Sequence, residues 1–281
     1  RLVATDAMNY RMPAEWEPHE GTWLAWPHEK SDWPGKFAPI PWVYCEIVRL
    51  LARTERVHIL VNSEDAAESI RKLLKKAHAD LPGVDFFVCP TDRSWTRDFC
   101  PIFVRDTKTG KPLVTDWQFN GWAKYENWTT DDAVPAAIAQ KLKLKSVTPK
   151  LGRRRIVLEG GSIDVNGRGS LLTTEECLLS DIQARNPGLT REHLESVFRD
   201  YLGVTNTLWL KNGIAGDDTH GHVDDLARFV DPSTVVIASE SNKGDANYEL
   251  LRENLKLLKT MKDQDGQPLR IVPLPMPEPV R

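Results

Sequence analysis

The chain has 281 residues, a formal net charge of -3, and 41% hydrophobic against 27% charged residues. That length can bury a sizeable core in one large domain or two ordinary ones, and the balance is that of a globular protein. It offers no basic field for nucleic acid and no apolar run near the roughly 20 residues needed to span a bilayer, so neither nucleic acid nor membrane is an expected partner.

Caps and apolar periodicity predict five helix-then-strand units in chain order. The helix PWVYCEIVRLLART (41–54) precedes the strand VHILV (57–61), and EDAAESIRKLLKKAHA (64–79) precedes VDFFV (84–88). A third helix, TDDAVPAAIAQKLK (130–143), has two aspartates in its first turn and leads into a short strand at SVTP. Thr190 caps a fourth over TREHLESVFRDYL (190–202), followed by TNTLWL (205–210). The fifth, DANYELLRENLKLLKTM (245–261), is followed by LRIVPL (269–274).

Between these units lie strand pairs with turn signals at KTGK, VNGRG and DPST: IFVRDTKTGKPLVTDWQF, IVLEGGSIDVNGRGSLLTT and DLARFVDPSTVVIAS. The repeating order is strand, strand, helix, strand. A long period of that kind suggests supersecondary units arrayed around an axis. With no linker or low-complexity tract, residues 1–281 are expected to form a single domain. Asp98, Glu159 and His222 recur at intervals of 61 and 63 residues. In such an array they would point into a common middle.

The N-terminal RLVATDAMNYRMPAEW lacks the apolar core of a signal peptide, so a cytoplasmic location is the expectation. The four cysteines, at 45, 89, 100 and 177, match no zinc spacing. Buried thiols are the plain reading; Cys100 is singled out because it follows Asp98 by two positions. Nine of the ten tryptophans precede residue 129, and aromatics beside acidic residues suit an apolar or cationic ligand.

The densest polar stretch is THGHVDDLARF (219–229). As a strand it would put His220, His222 and Asp224 on one face, as a zinc site does. Such a site needs further imidazoles downstream, and none of the seven histidines follows 222. No metal is therefore expected. A histidine among carboxylates can instead shuttle protons, with one ring nitrogen fixed by a carboxylate and the other free to act. The plain alternative for His222 is a satisfied core histidine. In SWTRDFCP (94–101) the choice lies between a surface Arg97–Asp98 pair and a carboxylate set beside a Trp95 wall. In LEGGSI (158–163), Glu159 ends an apolar run where a carboxylate is costly to bury alone, and paired glycines admit close approach; a bulge with an exposed Glu is the alternative. Two carboxylates can grip a planar guanidinium, and that cation would relieve their repulsion.

Together RMPAEWEPHEGTWLAWPHEKSDWPG (11–35), SWTRDFCPIFV (94–104), LEGGSIDVNGRGSLLTTEECLL (158–179) and GDDTHGHVDDLARFV (216–230) resemble the agmatine deiminase and bacterial peptidylarginine deiminase family of the guanidino-modifying superfamily. The resemblance runs from about residue 10 to the end. It implies a five-bladed α/β propeller of ββαβ modules with pseudo-fivefold order, the last blade incomplete in these residues. It also implies a covalent mechanism without cofactor, in which a Cys thiolate attacks the guanidinium carbon of a small cationic substrate. Agmatine would yield N-carbamoylputrescine and ammonia. By motif, Asp98 and Asp224 would hold the guanidinium, His222 would act as general acid then base, and Glu159 would sit beside the substrate and orient His222. Trp95 would pack on the methylenes and Asp218 would take the distal amine.

The resemblance places the nucleophile in a G-G-x-x-H-C segment near the C-terminus. No such segment occurs in residues 1–281, and none of the four cysteines matches it. The expectation is therefore a fragment whose remainder carries that Cys, or a protein that binds without the covalent step. Cys100 stands where the family motif has Gly, with only Arg97 to lower its pKa. His220 replaces the family's Asp or Asn and leaves peptidyl-arginine open as an alternative substrate. A guanidinium- or polyamine-binding module and a zinc hydrolase are the competing classes. The sequence leaves homo-oligomerisation open.

Overall fold

A computed structural model describes residues 10–79 and 81–277. The short strand β1 (Tyr10–Arg11) comes first. A parallel sheet follows, built from β2 (Gly21–Ala25), α1 (Ile40–Leu51), β3 (Arg56–Val61), α2 (Glu64–Lys76) and β4 (Val84–Val88) in the order β2-β3-β4. Next come α3 (Thr96–Phe99), β5 (Ile102–Asp106), β6 (Pro112–Thr115), α4 (Thr129–Asp132), α5 (Val134–Leu142) and β7 (Ser146–Val147). Their sheet has the order β1-β5-β6-β7. A two-stranded ribbon, β8 (Lys150–Leu151) with β9 (Arg154–Arg155), leads to β10 (Asp164–Val165), β11 (Ser170–Thr174), α6 (Glu175–Leu179), α7 (Arg191–Leu202) and β12 (Asn206–Leu210). The last sheet comprises β13 (Ala227–Asp231), β14 (Thr234–Ser239) and β15 (Arg270–Pro275), with α8 (Asn247–Leu258) crossing between β14 and β15.

The protein is α/β, and all five helix-then-strand units are present. In three of them an antiparallel hairpin is followed by a helix and a parallel third strand: β5-β6-β7, β10-β11-β12 and β13-β14-β15. The first two units instead share one sheet whose three strands are all parallel. The departure from ββαβ order thus lies at the N-terminal sheet, while the last three-stranded sheet repeats the hairpin and parallel third strand of the two before it. Among the described residues no helix is long and apolar enough to cross a membrane.

The helices form where caps and pattern agree. Ser63 Oγ accepts from the Ala66 amide at 3.1 Å to start α2, with acids in the first turn, lysines in the last, and Ala67, Ile70 and Leu74 buried along one face. Burying a side chain such as Leu74 stabilises by roughly 1.5–3 kcal/mol. Thr190 caps α7 with a reciprocal His193 bond, and Gly203 ends it at φ 72°, where a Cβ would collide with the Tyr10 carbonyl. The predicted third helix is broken at Ala133 into α4 and α5, because Pro135 lacks the donor a continuous helix needs.

Each module's helix also packs on the preceding sheet. Val134 and Ile138 of α5 share a core with Ala25 and Leu60. Leu194, Val197 and Phe198 of α7 join Ile102, Val104 and Leu113. Leu251 and Leu258 of α8 join Leu172, Leu208 and Leu210. This stepwise packing brings together the segments that enter each module.

Candidate active site

Asp98, Glu159 and His222 occupy the same place in three modules, each just ahead of the first strand (β5, β10 and β13). Their recurrence in sequence therefore has a structural cause, and the three meet. His222 is 3% exposed. Its Nδ1 lies 3.8 Å from Asp98 Oδ1 and 3.8 Å from Asp224 Oδ1, and its Nε2 lies 3.9 Å from Glu159 Oε2. These are ion contacts, too long for hydrogen bonds, so no carboxylate fixes the tautomer as the sequence led us to expect.

Asp98 sits in the single helical turn α3, not on a strand. Thr96 Oγ1 anchors that turn to the Trp23 carbonyl at 3.1 Å, and buried Phe99 fixes its other side. Asp98 faces inward and accepts from Trp122 Nε1 at 3.0 Å and the Gly161 amide at 3.1 Å. Arg97 faces the other way, to Glu15 and to Asp224 Oδ2, the latter at 3.3 Å. The surface Arg97–Asp98 pair is thus not formed. The helical turn also removes the strand face that Asp98 and Cys100 were to share. Cys100 caps the turn, and burial pushes its thiol well up.

Glu159 is fully buried, not an exposed bulge residue. The glycines after it serve contact. A Cβ on Gly161 would lie 2.5 Å from His222 Nδ1 and 2.6 Å from Asp98 Oδ1. Gly160 presses equally close on the Arg97 carbonyl.

The segment 219–222 is a turn, so His220, His222 and Asp224 do not share a strand face. Asp217 organises it, accepting from Thr219 N at 2.7 Å, Gly221 N at 2.7 Å and His222 N at 3.1 Å. His220 takes φ 63° and turns to Ser180 Oγ at 3.3 Å and Glu176 at 3.7 Å. Asp224 is the middle residue of the 3-10 turn Val223–Asp225 that follows His222.

Two predicted residues stand outside the buried cluster. Trp95 is 40% exposed; it stacks on Trp33 at 5.6 Å and donates to Asp32 at 3.1 Å. Asp218 is exposed and bound by Lys124 and by the Tyr125 hydroxyl, the latter at 2.7 Å. A line of rings connects it to the cluster: Tyr125 packs 5.9 Å from Trp122, which donates to Asp98.

The electrostatics follow from the crowding. Burial works against a charged His222, but Asp98, Glu159 and Asp224 outweigh it and raise its pKa to about 9. Burial likewise works against Glu159, yet Arg185 and His222 hold its pKa down at about 2. Burial raises the proton affinity of Asp98 and Asp224, with His222 opposing it in both. Among the described residues, Glu159 Oε2 and His222 Nε2 have no hydrogen-bond partner.

Arg185 and Trp122 were not anticipated. Trp122 sits at φ 58°, a strained left-handed position that aims its ring at Asp98. Arg185, from QARNPG, donates from Nε to Glu159 Oε1 at 3.0 Å. Among the described residues, Glu159, Cys177 and His222 have ligand-type atoms within 4.8 Å of one another. A metal there would share Glu159 with the Arg185 cation and need a thiolate from Cys177, whose thiol burial pushes well up. The donor set fits a divalent metal poorly.

The Porphyromonas-type peptidyl-arginine deiminase family matches residues 11–281. The chain is 36% identical over 276 residues to an agmatine deiminase of Stutzerimonas stutzeri, spanning 96% of this chain and 72% of that protein. It is 35% identical to an agmatine deiminase of Pseudomonas aeruginosa, with 98% and 72% covered. The solved agmatine deiminase of Enterococcus faecalis superposes with a TM-score of 0.86 at 32% identity, covering 96% of this chain and 71% of that one.

Proposed function

The chain belongs to the Porphyromonas-type peptidyl-arginine deiminase family, that of the agmatine deiminases and hydrolases of amidine carbon–nitrogen bonds, and from that premise we propose that its own substrate is agmatine. The products would be N-carbamoylputrescine and ammonia. The observation that carries this reading is the trio of carboxylates around His222, Asp98 and Glu159 buried and Asp224 half-buried. Such a cluster carries surplus negative charge beside a histidine, and a guanidinium neutralises it with paired hydrogen bonds.

In this reading Asp98 and Asp224 hold the guanidinium nitrogens. A thiolate adds to the guanidinium carbon. His222, protonated at neutral pH, gives its proton to the departing nitrogen, which leaves as ammonia, and Glu159 steadies the imidazolium. Water then adds to the amidino-thioether carbon, neutral His222 takes its proton, and the carbon–sulfur bond breaks to return the thiolate. Trp95 lies along the methylenes. Asp218 receives the distal amine in place of Lys124.

None of the four cysteines suits the nucleophile: Cys100 and Cys177 have thiols pushed well up by burial, and Cys45 and Cys89 are shifted the same way. The covalent step therefore calls on a Cys other than these four. The test is calorimetric titration with agmatine and with a peptide bearing an internal arginine, alongside ammonia release. Agmatine binding, with the peptide at least about tenfold weaker, is expected. Equal or tighter peptide binding replaces agmatine with peptidyl-arginine. Binding of both without ammonia in a form carrying the nucleophile makes the protein a guanidinium-binding module.

A further inference from the structure

Arg185 is the largest buried charge that the proposed chemistry leaves unused. Its side chain and that of Glu159 are both 0% exposed, and they meet through one bond, Nε to Oε1 at 3.0 Å. Its other nitrogens go to backbone: Nη1 to the Gln183 carbonyl at 3.0 Å, and Nη2 to the Thr219 carbonyl. Thr219 lies three residues before His222. One guanidinium therefore binds the acid directly and the histidine's loop through a carbonyl.

The neighbouring residue acts on the same segment. Asn186 accepts from the Val157 amide at 3.0 Å and donates to the Val157 carbonyl at 2.8 Å. Among the described residues Val157 is otherwise tied by an isolated bridge to Gln118. The run that ends in Glu159 is thus held by its backbone and by its terminal side chain from a single loop. With Oε1 taken, Oε2 is the oxygen left, 3.9 Å from His222 Nε2, and neither atom has a hydrogen-bond partner among the described residues.

We propose that Arg185 is a positioning residue of the deiminase site: it fixes Glu159 as an ionised carboxylate whose Oε2 faces His222, with Asn186 holding the backbone beneath. This rests on the roles proposed above for Glu159 and His222. A fully buried Arg–Glu pair adds little net stability compared with apolar replacement, whereas a forked donor held by two carbonyls orients its third partner in a way an ammonium cannot.

The test reads the Glu159 side-chain carboxyl by 13C NMR across pH, in substrate-free protein. Failure of the agmatine reading therefore leaves the result untouched. In the parent protein Glu159 is expected to stay ionised below pH 4. In Arg185→Met its proton affinity is expected to rise by at least about 100-fold, and in Arg185→Lys by about tenfold, the charge being kept and the fork lost. If Arg185 served only to tie the loop to Thr219, both variants would melt earlier while Glu159 still titrated below pH 4, and the proposal would fall. Should Arg185→Met not fold, the double variant with Glu159→Gln is expected to fold, because no orphaned carboxylate remains. A double variant that also fails to fold would equally overturn the proposal.

Discussion

His58 and His222 lie in different parts of the molecule and hold protons in opposite ways. His58, on β3 of the parallel sheet, has a carboxylate at 3.2 Å, Asp85 Oδ2, yet its proton affinity is lowered, burial being the main cause. His222 has three carboxylates at 3.8–3.9 Å and a pKa raised to about 9. The difference is in what else those carboxylates touch. Asp85 is gripped by Arg56 through bonds of 2.9 and 2.6 Å, so little of its charge is left for His58. Around His222 three acids face one imidazole, and Arg185 and Arg97 each engage only one of them. Unspent local charge, and not the nearest contact, separates an ordinary histidine from a candidate proton carrier.

The two histidines should differ most at turnover. In a form of the protein that releases ammonia from agmatine, His222→Ala is expected to lower kcat by about 10²–10⁴-fold, the scale of a lost general acid/base. His58→Gln is expected to leave it within about threefold, since His58 contacts Asp85 and the rings of Trp23 and Phe87 and none of the three acids around His222. Activity surviving His222→Ala would transfer the role to His220.

Stability should separate the same two regions. Glu159→Ala leaves the Arg185 guanidinium buried without its anion, which costs about 3–5 kcal/mol. Asp85→Ala removes a partly exposed partner and should cost no more than about 1 kcal/mol. Urea denaturation at pH 7 measures both. A cost for Glu159→Ala as small as that for Asp85→Ala would mean that water reaches the pair. Asp98→Asn should act more gently, weakening agmatine affinity by roughly tenfold and costing about 1–3 kcal/mol of stability, because Trp122 and Gly161 donate to different oxygens of Asp98 and an amide keeps only one acceptor. A large melting shift with unchanged affinity would assign Asp98 to the fold instead.

Much of this architecture is legible in residue pattern alone. Ser63 and Thr190 announce their helices because a cap and an apolar face are local properties, and the recurrence of Asp98, Glu159 and His222 follows the module repeat. What stays hidden is set by tertiary contact. Periodicity carries no strand polarity, so the all-parallel first sheet is invisible in it. His220 looks like a strand partner of His222 until Asp217 gathers the turn amides and forces φ to 63°. Arg185 sits in a run, QARNPG, that reads as a solvent turn; only the fold reveals that its guanidinium is buried against Glu159. Trp122 is one of many tryptophans, and nothing local marks it as the donor to Asp98.

The finest test of the comparison is the dependence of stability on pH. His222 has a folded pKa above its ordinary value of about 6.5, so its contribution is fully present below that value and is lost as pH rises through about 9. Glu159, held at about 2, contributes fully above about 4.5 and loses its contribution only as pH falls toward 2. Asp131, raised to about 7 by burial, acts in the reverse sense, costing stability as pH climbs from about 4 to 7 and adding nothing further above that. Asp164 and Asp225, each near 6, finish sooner. Between about pH 7.5 and 8 the slope therefore belongs mainly to His222, and unfolding free energy should fall by about 1.4 kcal/mol per pH unit at its steepest; nearer pH 9 the four thiols, raised by burial, add a loss of the same sign. His58→Gln should leave that slope in place, because the lowered proton affinity of His58 acts at lower pH. His222→Gln should flatten it, and a slope that survived would place the surplus charge elsewhere than on this imidazole.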